Sequence, residues 1–389
     1  SHDFYTRASA LLDADPQASA ATKIDVALSM VEAGINFTPG DQTIAELESV
    51  RGVAEGVGDT EVIARVYALL LRIRTMMEES YADRYYRDLM DRAFALAPTV
   101  QTPELRAYLE GMMGQVLRTM DDYAASVELI GGSVAPLEEA GRVGEAGLNA
   151  AFAADVEASR GRFDEADRWI ERATVLGGES RNPSVIADVS LFKGRIAAAR
   201  GELEIALEHT RSGIEMAAGA SNIQCELVGN FMVADQQLRR GEPQAAISHL
   251  ERTFELGEFC NAVAIVKLGE AWLTSARASL GELDPAGFAG PLAMAQAGGS
   301  RSGEAAVRLQ RAITVSASSE PDWASAFHDF ERAVELFESI DARPDQARAI
   351  HAYANALDAA GRDEESRIQL DAAMAMFDEM GIRPDMASV

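Results

Sequence analysis

The chain has 389 residues, 48% of them hydrophobic and 25% charged, and its 62 Asp and Glu against 35 Lys and Arg give a net charge of −27. Such a length exceeds what one compact core fills, so several domains or a repeating array are expected, and the composition excludes a disordered chain. Strong acidity excludes nucleic acid as a partner, and the longest apolar runs, such as VYALLLRI at 66–73, are too short to span a membrane.

Taken in chain order, FYTRASALLDAD at 4–15 reads as the second helix of a hairpin whose first helix is missing. From there the chain is periodic. Gly161, Gly201, Gly241 and Gly281 recur every 40 residues, and Gly361 lies two periods further on. Three columns of small residues keep the same phase. One runs through Gly114, Ala154, Gly194 and Ala234, a second through Ala166, Ala206 and Ala246, and a third through Ala173, Gly213 and Thr253. Between the turn glycine and the third column, FDEADRWIERA places Phe163, Ala166, Trp169, Ile170 and Ala173 on one helical face. The segment before each glycine, such as PSVIADVSLFKGRIAAARG at 183–201, has the same character. Each period is therefore a helix hairpin, with about 16 residues per helix by the usual bundle-linker lengths. Small residues let its two helices approach closely, and glycine accepts the left-handed turn between them. One hairpin cannot bury its own apolar faces, so neighbours must stack into a solenoid.

The array divides into residues 1–280, a degenerate repeat at 281–303, and residues 304–389. Pro285, Pro291 and AGGSRSG interrupt the pattern in the middle segment and make Pro291 a candidate kink. Pro321 replaces the next turn glycine and can open a helix at its first position. RPDMASV at 383–389 begins a further first helix that no capping helix follows, leaving an open end for self-association.

Gly194, Gly201, Ala206 and Gly213, with Ala234, Gly241, Ala246 and Thr253, resemble the tetratricopeptide-repeat (TPR) pattern. The resemblance implies an all-α, right-handed superhelical solenoid of antiparallel helix hairpins. The family's usual period is 34, so six extra residues are expected in longer helices plus a fuller loop between repeats. A narrower likeness lies in AFHDFERAVELFESIDARPDQARAIHAYANALDAAGRDEE at 326–365. It is similar to the TPR arms of bacterial signalling ATPases, including maltose-activator-type regulators and ATPase-linked adenylate or guanylate cyclases. That likeness implies a cytoplasmic, non-catalytic arm that senses an inducer or a partner.

The sequence carries no P-loop, H-E-x-x-H, EF-hand, G-x-S-x-G or dinucleotide fingerprint, so no enzyme, metal or cofactor is expected. His209 and His249 are one period apart and follow from repeat phase. Cys225 and Cys260 lack ligand spacing and read as packing thiols of a reducing compartment. Carboxylate runs such as DEAD at 164–167 fall where they favour helix N-termini. Trp169, Trp272 and Trp323 read as packing residues.

In a TPR-type superhelix the first helices line the concave face. The columns six and ten residues before the turn place Asp155, Leu191, Arg195, Phe231 and Asp235 there, with Arg308, Arg311, Arg348, His351 and Asn355 in the last repeats. Asp155, Arg195 and Asp235 form either a ladder of ion pairs or a ligand site. The C-terminal group forms a basic surface for a carboxylate or phosphate, or else pairs with acidic neighbours such as Glu304. The expected partner is a protein or peptide held in the groove. The alternative is a small-molecule effector whose binding shifts the curvature.

Overall fold

The computed structural model describes Arg7 and residues 19–34, 40–77 and 84–382. The helix read at 4–15 (Arg7 apart) and the segment 383–389 lie outside the described residues. Among those described, every regular element is helical. The N-terminal part comprises α1 (Ala20–Gly34), α2 (Gly40–Val57), α3 (Thr60–Met77) and α4 (Arg84–Leu96). Five hairpin first helices follow with their partners: α5 (Pro103–Thr119) and α6 (Tyr123–Glu139), α7 (Val143–Ser159) and α8 (Phe163–Ser180), α9 (Pro183–Ala199) and α10 (Leu203–Gly219), α11 (Ile223–Arg239) and α12 (Pro243–Cys260), then α13 (Val263–Ser279) with the short α14 (Ala289–Gly298). The last four are α15 (Arg301–Ser316), α16 (Trp323–Ser339), α17 (Arg343–Ala359) and α18 (Asp363–Met380).

The turns set the geometry. Left-handed backbone recurs every 20 residues, at Asp121, Gly141, Gly161, Arg181, Gly201, Ser221, Gly241, Asn261 and Gly281, and again at Asp341, Gly361 and Gly381. At most of them the next residue donates its N–H to a carbonyl in the last turn of the helix just ended, as in Arg162 to Glu157 (2.9 Å), Glu242 to Gln237 (2.9 Å) and Ile382 to Phe377 (2.9 Å). That bond satisfies a helix-end carbonyl and reverses the chain at once. The six residues beyond the usual period therefore extend the helices, which run to 17 or 18 residues from α5 to α13. No fuller loop separates the repeats: turns within and between hairpins are equally short.

The columns of small residues lie in the contact between paired helices. Ala166, Ala173, Ala206, Ala246 and Ala333 are fully buried. A Cβ at Gly194 would sit 2.2 Å from Thr210 Oγ1 and 3.0 Å from the Ala206 carbonyl, so α9 and α10 touch backbone to backbone there. In the middle segment the phase breaks. Ala286 and Ala293 face solvent, while Phe288, Pro291 and Ala295 turn inward through a 3-10 turn at Pro285–Phe288 and the 10-residue α14. Pro291 is the third residue of α14, in its first turn, where no helical hydrogen bond is lost. Pro321 precedes the N-cap Asp322 of α16, whose carboxylate accepts the Ser325 N–H.

The array closes on itself. Arg160, at the end of α7, pairs with Asp341, 181 residues later, at 2.9 Å. That separation is about four and a half periods per superhelical turn. Asp121, after α5, accepts the N–H groups of Arg301 (2.8 Å) and Ser302 (3.1 Å) and so caps the first turn of α15 from across the turn of the superhelix. Arg348 of α17 donates to the Ala198 carbonyl at 2.9 Å and to that of Ala199, at the C-terminal end of α9. Apolar contacts follow the same line, since Ala154 and Ile196 share one core cluster with Ala347, Ile350, Phe377 and Met380.

Gly161 lies on this seam, and a Cβ there would meet Met380 Sδ at 2.4 Å, whereas nothing lies within 4 Å at Gly241. Both have left-handed backbone, with φ of 74° and 73°. Gly241→Ala is expected to lose about 1–2 kcal/mol from backbone strain alone, and Gly161→Ala distinctly more. Urea unfolding followed by circular dichroism measures both. Equal losses would show that the seam contact contributes nothing.

Candidate binding groove

The first helices α5, α7, α9, α11 and α13 stand side by side, and residues six positions before each turn form a row across them. The row is a partial ladder. Asp155, only 3% exposed, receives Arg118 Nη1 on one oxygen (3.0 Å) and Arg195 Nε on the other (2.7 Å). The Asp155 charge, outweighing the cost of burial, raises the Arg195 pKa above its usual value. Asp235 does not continue the ladder. Its carboxylate accepts Trp272 Nε1 at 2.8 Å, and Arg239 stands 4.0 Å away. Arg195 keeps 39% of its side-chain exposure, and its terminal nitrogens have no hydrogen bond among the described residues.

An apolar band runs one helical turn along. Phe152 and Phe192 meet edge to face with centroids 4.7 Å apart, and the Arg118 guanidinium lies 5.2 Å above Phe152. Phe231 meets Trp272 edge to face at 5.3 Å. Beneath the row is a buried polar chain in which Gln115 Nε2 donates to Asn149 Oδ1 (2.9 Å) and Asn149 Nδ2 to Ser133 Oγ (2.8 Å). It fixes the rotation of α7 between α5 and α6. At the other end of the wall, burial pushes the Asp188 carboxyl up to about 6, against a hydrogen bond with Cys225 and the charge of Arg72.

The residues singled out from sequence thus divide. Asp155, Arg195 and Asp235 lie in one row, with Phe231 beside it against Trp272. Leu191 is 4% exposed and packs against Gly213 and Gly229 inside the hairpin contact. The C-terminal five do not form a single basic surface. Arg308 and Arg311 grip the fully buried Asp329 of α16, at 2.8 Å and at 2.5 and 2.7 Å, and Arg308 also holds Glu304 at 2.8 Å. Burial alone would raise the Glu304 pKa, but the Arg308 and Gln296 hydrogen bonds leave it below the usual value. Arg348 points into the seam. His351 packs edge-on against Phe377 at 6.2 Å, with its pKa lowered by burial, and only Asn355 is exposed. Trp272, Arg118 and Arg239 were missed as members of the row. Trp272 and Arg239 lie one turn to either side of the column read, and Arg118 belongs to a neighbouring column.

The fold is that of TPR-type proteins. No family model matches the sequence, and no curated protein matches it. Among solved structures, this chain is similar to a Rap protein complexed with competence and sporulation factor, with a TM-score of 0.69 at 14% identity over 92% of this chain and 99% of that one. The apo form of the quorum sensor NprR from B. thuringiensis gives a TM-score of 0.54 at 13% identity, over 92% and 99%. A signal transduction ATPase with numerous domains and a tetratricopeptide repeat sensor, from Pyrococcus horikoshii, gives 0.51 at 12% identity. There the match covers 92% of this chain and 53% of that protein.

Two outcomes follow from the charges. Asp329→Ala leaves Arg308 and Arg311 partly buried without their shared carboxylate and is expected to cost about 3–5 kcal/mol in unfolding free energy. Asp188 has a folded pKa of about 6 against an ordinary 3.8, so the native state binds the extra proton between those values. Its contribution to stability is most favourable below that window and declines as pH rises through it. Asp188→Asn should therefore flatten the pH dependence of unfolding between about 4 and 6 and gain on the order of 1–2 kcal/mol at pH 7. An unchanged profile would place Asp188 in open solvent.

Proposed function

We propose that the chain is a non-catalytic sensor arm of a larger bacterial signalling protein and that it holds a partner protein or peptide along its inner face. The observation that carries this reading is the row from Arg118 through Asp155 and Arg195 to Asp235 and Trp272. It places half-satisfied charge beside an aromatic band, and it repeats along the groove at the helix-to-helix spacing. An extended segment crossing successive first helices meets one charged group and one apolar surface per repeat, which gives register as well as affinity. The likeness to a Rap protein complexed with competence and sporulation factor supports a bound partner, and that to the ATPase with its repeat sensor supports an arm attached to other domains. The division into residues 1–280, 281–303 and 304–389 belongs to the same proposal, with the middle segment joining two stretches of repeats.

Arg195 and Asp235 are the positions to test, because both keep exposure, Asp155 retains Arg118 without Arg195, and Asn at 235 keeps an oxygen to accept the Trp272 Nε1–H. Arg195→Gln with Asp235→Asn is expected to weaken capture of the partner about tenfold or more while leaving the helical circular dichroism signal intact. Pull-down from the native source, followed by titration of the recovered partner against wild type and variant, measures it. Equal affinities would remove the row from the binding surface.

A further inference from the structure

Helix α17 meets α7 and the C-terminal end of α9 from the opposite side of the superhelical turn, beside the charged row. Its Arg348, with a side chain 8% exposed, reaches over to the carbonyls that end α9, and Arg239 of α11 donates to the same Ala198 carbonyl at 3.1 Å. Asp345, one turn before Arg348 and hydrogen-bonded to it at 2.9 Å, acts electrostatically on Arg195, Arg239 and Tyr123. The C-terminal repeats thus bring their own charged side chains to the wall that faces a partner.

That contact is incompletely satisfied. Asp121 Oδ1, Glu157 Oε2, Arg239 Nε and Arg348 Nε are buried without a hydrogen-bond partner among the described residues, and all four lie along the seam. Arg239 and Arg348 stand close enough for each cation to oppose the other, with burial as the larger effect on Arg239. Among the described residues Glu61 Oε2, Arg118 Nε, Gln236 Oε1, Gln237 Oε1 and His351 Nδ1 are likewise buried without a hydrogen-bond partner, so the seam supplies four of nine such atoms. Buried polar groups in a permanent core are almost always paired, whereas a contact that exchanges with water tolerates unpaired ones. The polar links are also few: Arg160 with Asp341, Asp121 with the first turn of α15, and Arg348 with α9.

We propose that α17 is a gate over the groove, an internal occupant whose Asp345 and Arg348 must leave the α9–α11 wall before a partner can engage Arg195. The inference rests on the groove reading and adds its regulation: partner binding competes with seam closure, so substitutions far from the groove tune affinity by loosening or tightening the seam.

A disulfide tests it. A Cβ at Gly161 lies 3.5 Å from the Arg343 Cβ, within the span of a disulfide. Gly161→Cys with Arg343→Cys, in a Cys225→Ala/Cys260→Ser background, locks the seam when oxidised and releases it when reduced. Both forms and the background chain are followed by hydrogen exchange over residues 118–123, 157–162, 196–202 and 339–348. Their binding is measured with a pool of heptapeptides selected by phage display on the wild-type chain. The comparison is the Cys225→Ala/Cys260→Ser chain that keeps Gly161 and Arg343, and so has no side chain driven against Met380. Against it the gate predicts about tenfold slower seam exchange and about tenfold weaker peptide binding in the oxidised form, with unchanged exchange in α12. Equal binding by the oxidised form and that chain would overturn the gate and leave the groove reading standing. Equal seam exchange would also overturn it. If the wild-type chain enriches no peptide, the groove reading loses its support, and exchange alone decides whether the seam opens.

Discussion

The left-handed residue that ends nearly every helix is the constraint on which the remaining structure depends. Because the chain reverses within two or three residues at these ends, the long helices are forced into antiparallel contact with no slack to reposition them. A turn of this kind fixes both the angle and the phase of the next helix. Small side chains at the crossing points are then a requirement: a larger residue at Gly194 would collide with backbone as well as with Thr210. The superhelix follows from repeating one tight operation, and its curvature brings repeats about four and a half periods apart into contact.

Much of this was legible in the sequence, because glycine announces a left-handed turn wherever it recurs at fixed spacing. The turns that join one hairpin to the next were less visible. Arg181, Ser221, Asn261 and Asp341 occupy the same backbone conformation with φ between 52° and 59°, but no single residue type marks them. The sequence therefore places part of the extra length of the period in a loop, whereas the helices take it up. At residues 281–303 the proline and glycine content coincides with the 3-10 turn at Pro285–Phe288 and the short α14. The residues that replace the lost packing, Phe288 and Ala295, could not be chosen from periodicity because they lie outside it.

The groove was legible only where helical phase alone decides which way a side chain points. Asp155, Arg195 and Asp235 satisfied that condition. Leu191 did not: it seats against Gly213 and Gly229, whereas Phe231 of the same column stays beside the row against Trp272. Arg308 and Arg311 turn from the groove for a different reason. Asp329, which neutralises them, sits on α16, and pairing across a hairpin depends on helix rotation that spacing does not encode. Arg348 depends on a contact 150 residues away. Asp121, in the phase of the turn glycines, was the one local sign of the seam, since it departs from glycine at a position that still requires left-handed backbone.

Closure has a consequence for how such a chain can evolve. Arrays of stacked hairpins lengthen and shorten by duplicating or losing a unit, because each unit touches only its neighbours. Here Asp121 must meet the start of α15 and Arg160 must meet Asp341. Gain or loss of one hairpin between those partners would advance or retard the C-terminal repeats by a full unit around the axis and separate both pairs. The number of repeats inside the closed turn is thereby held fixed, while units added before α5 or after α18 remain free to vary.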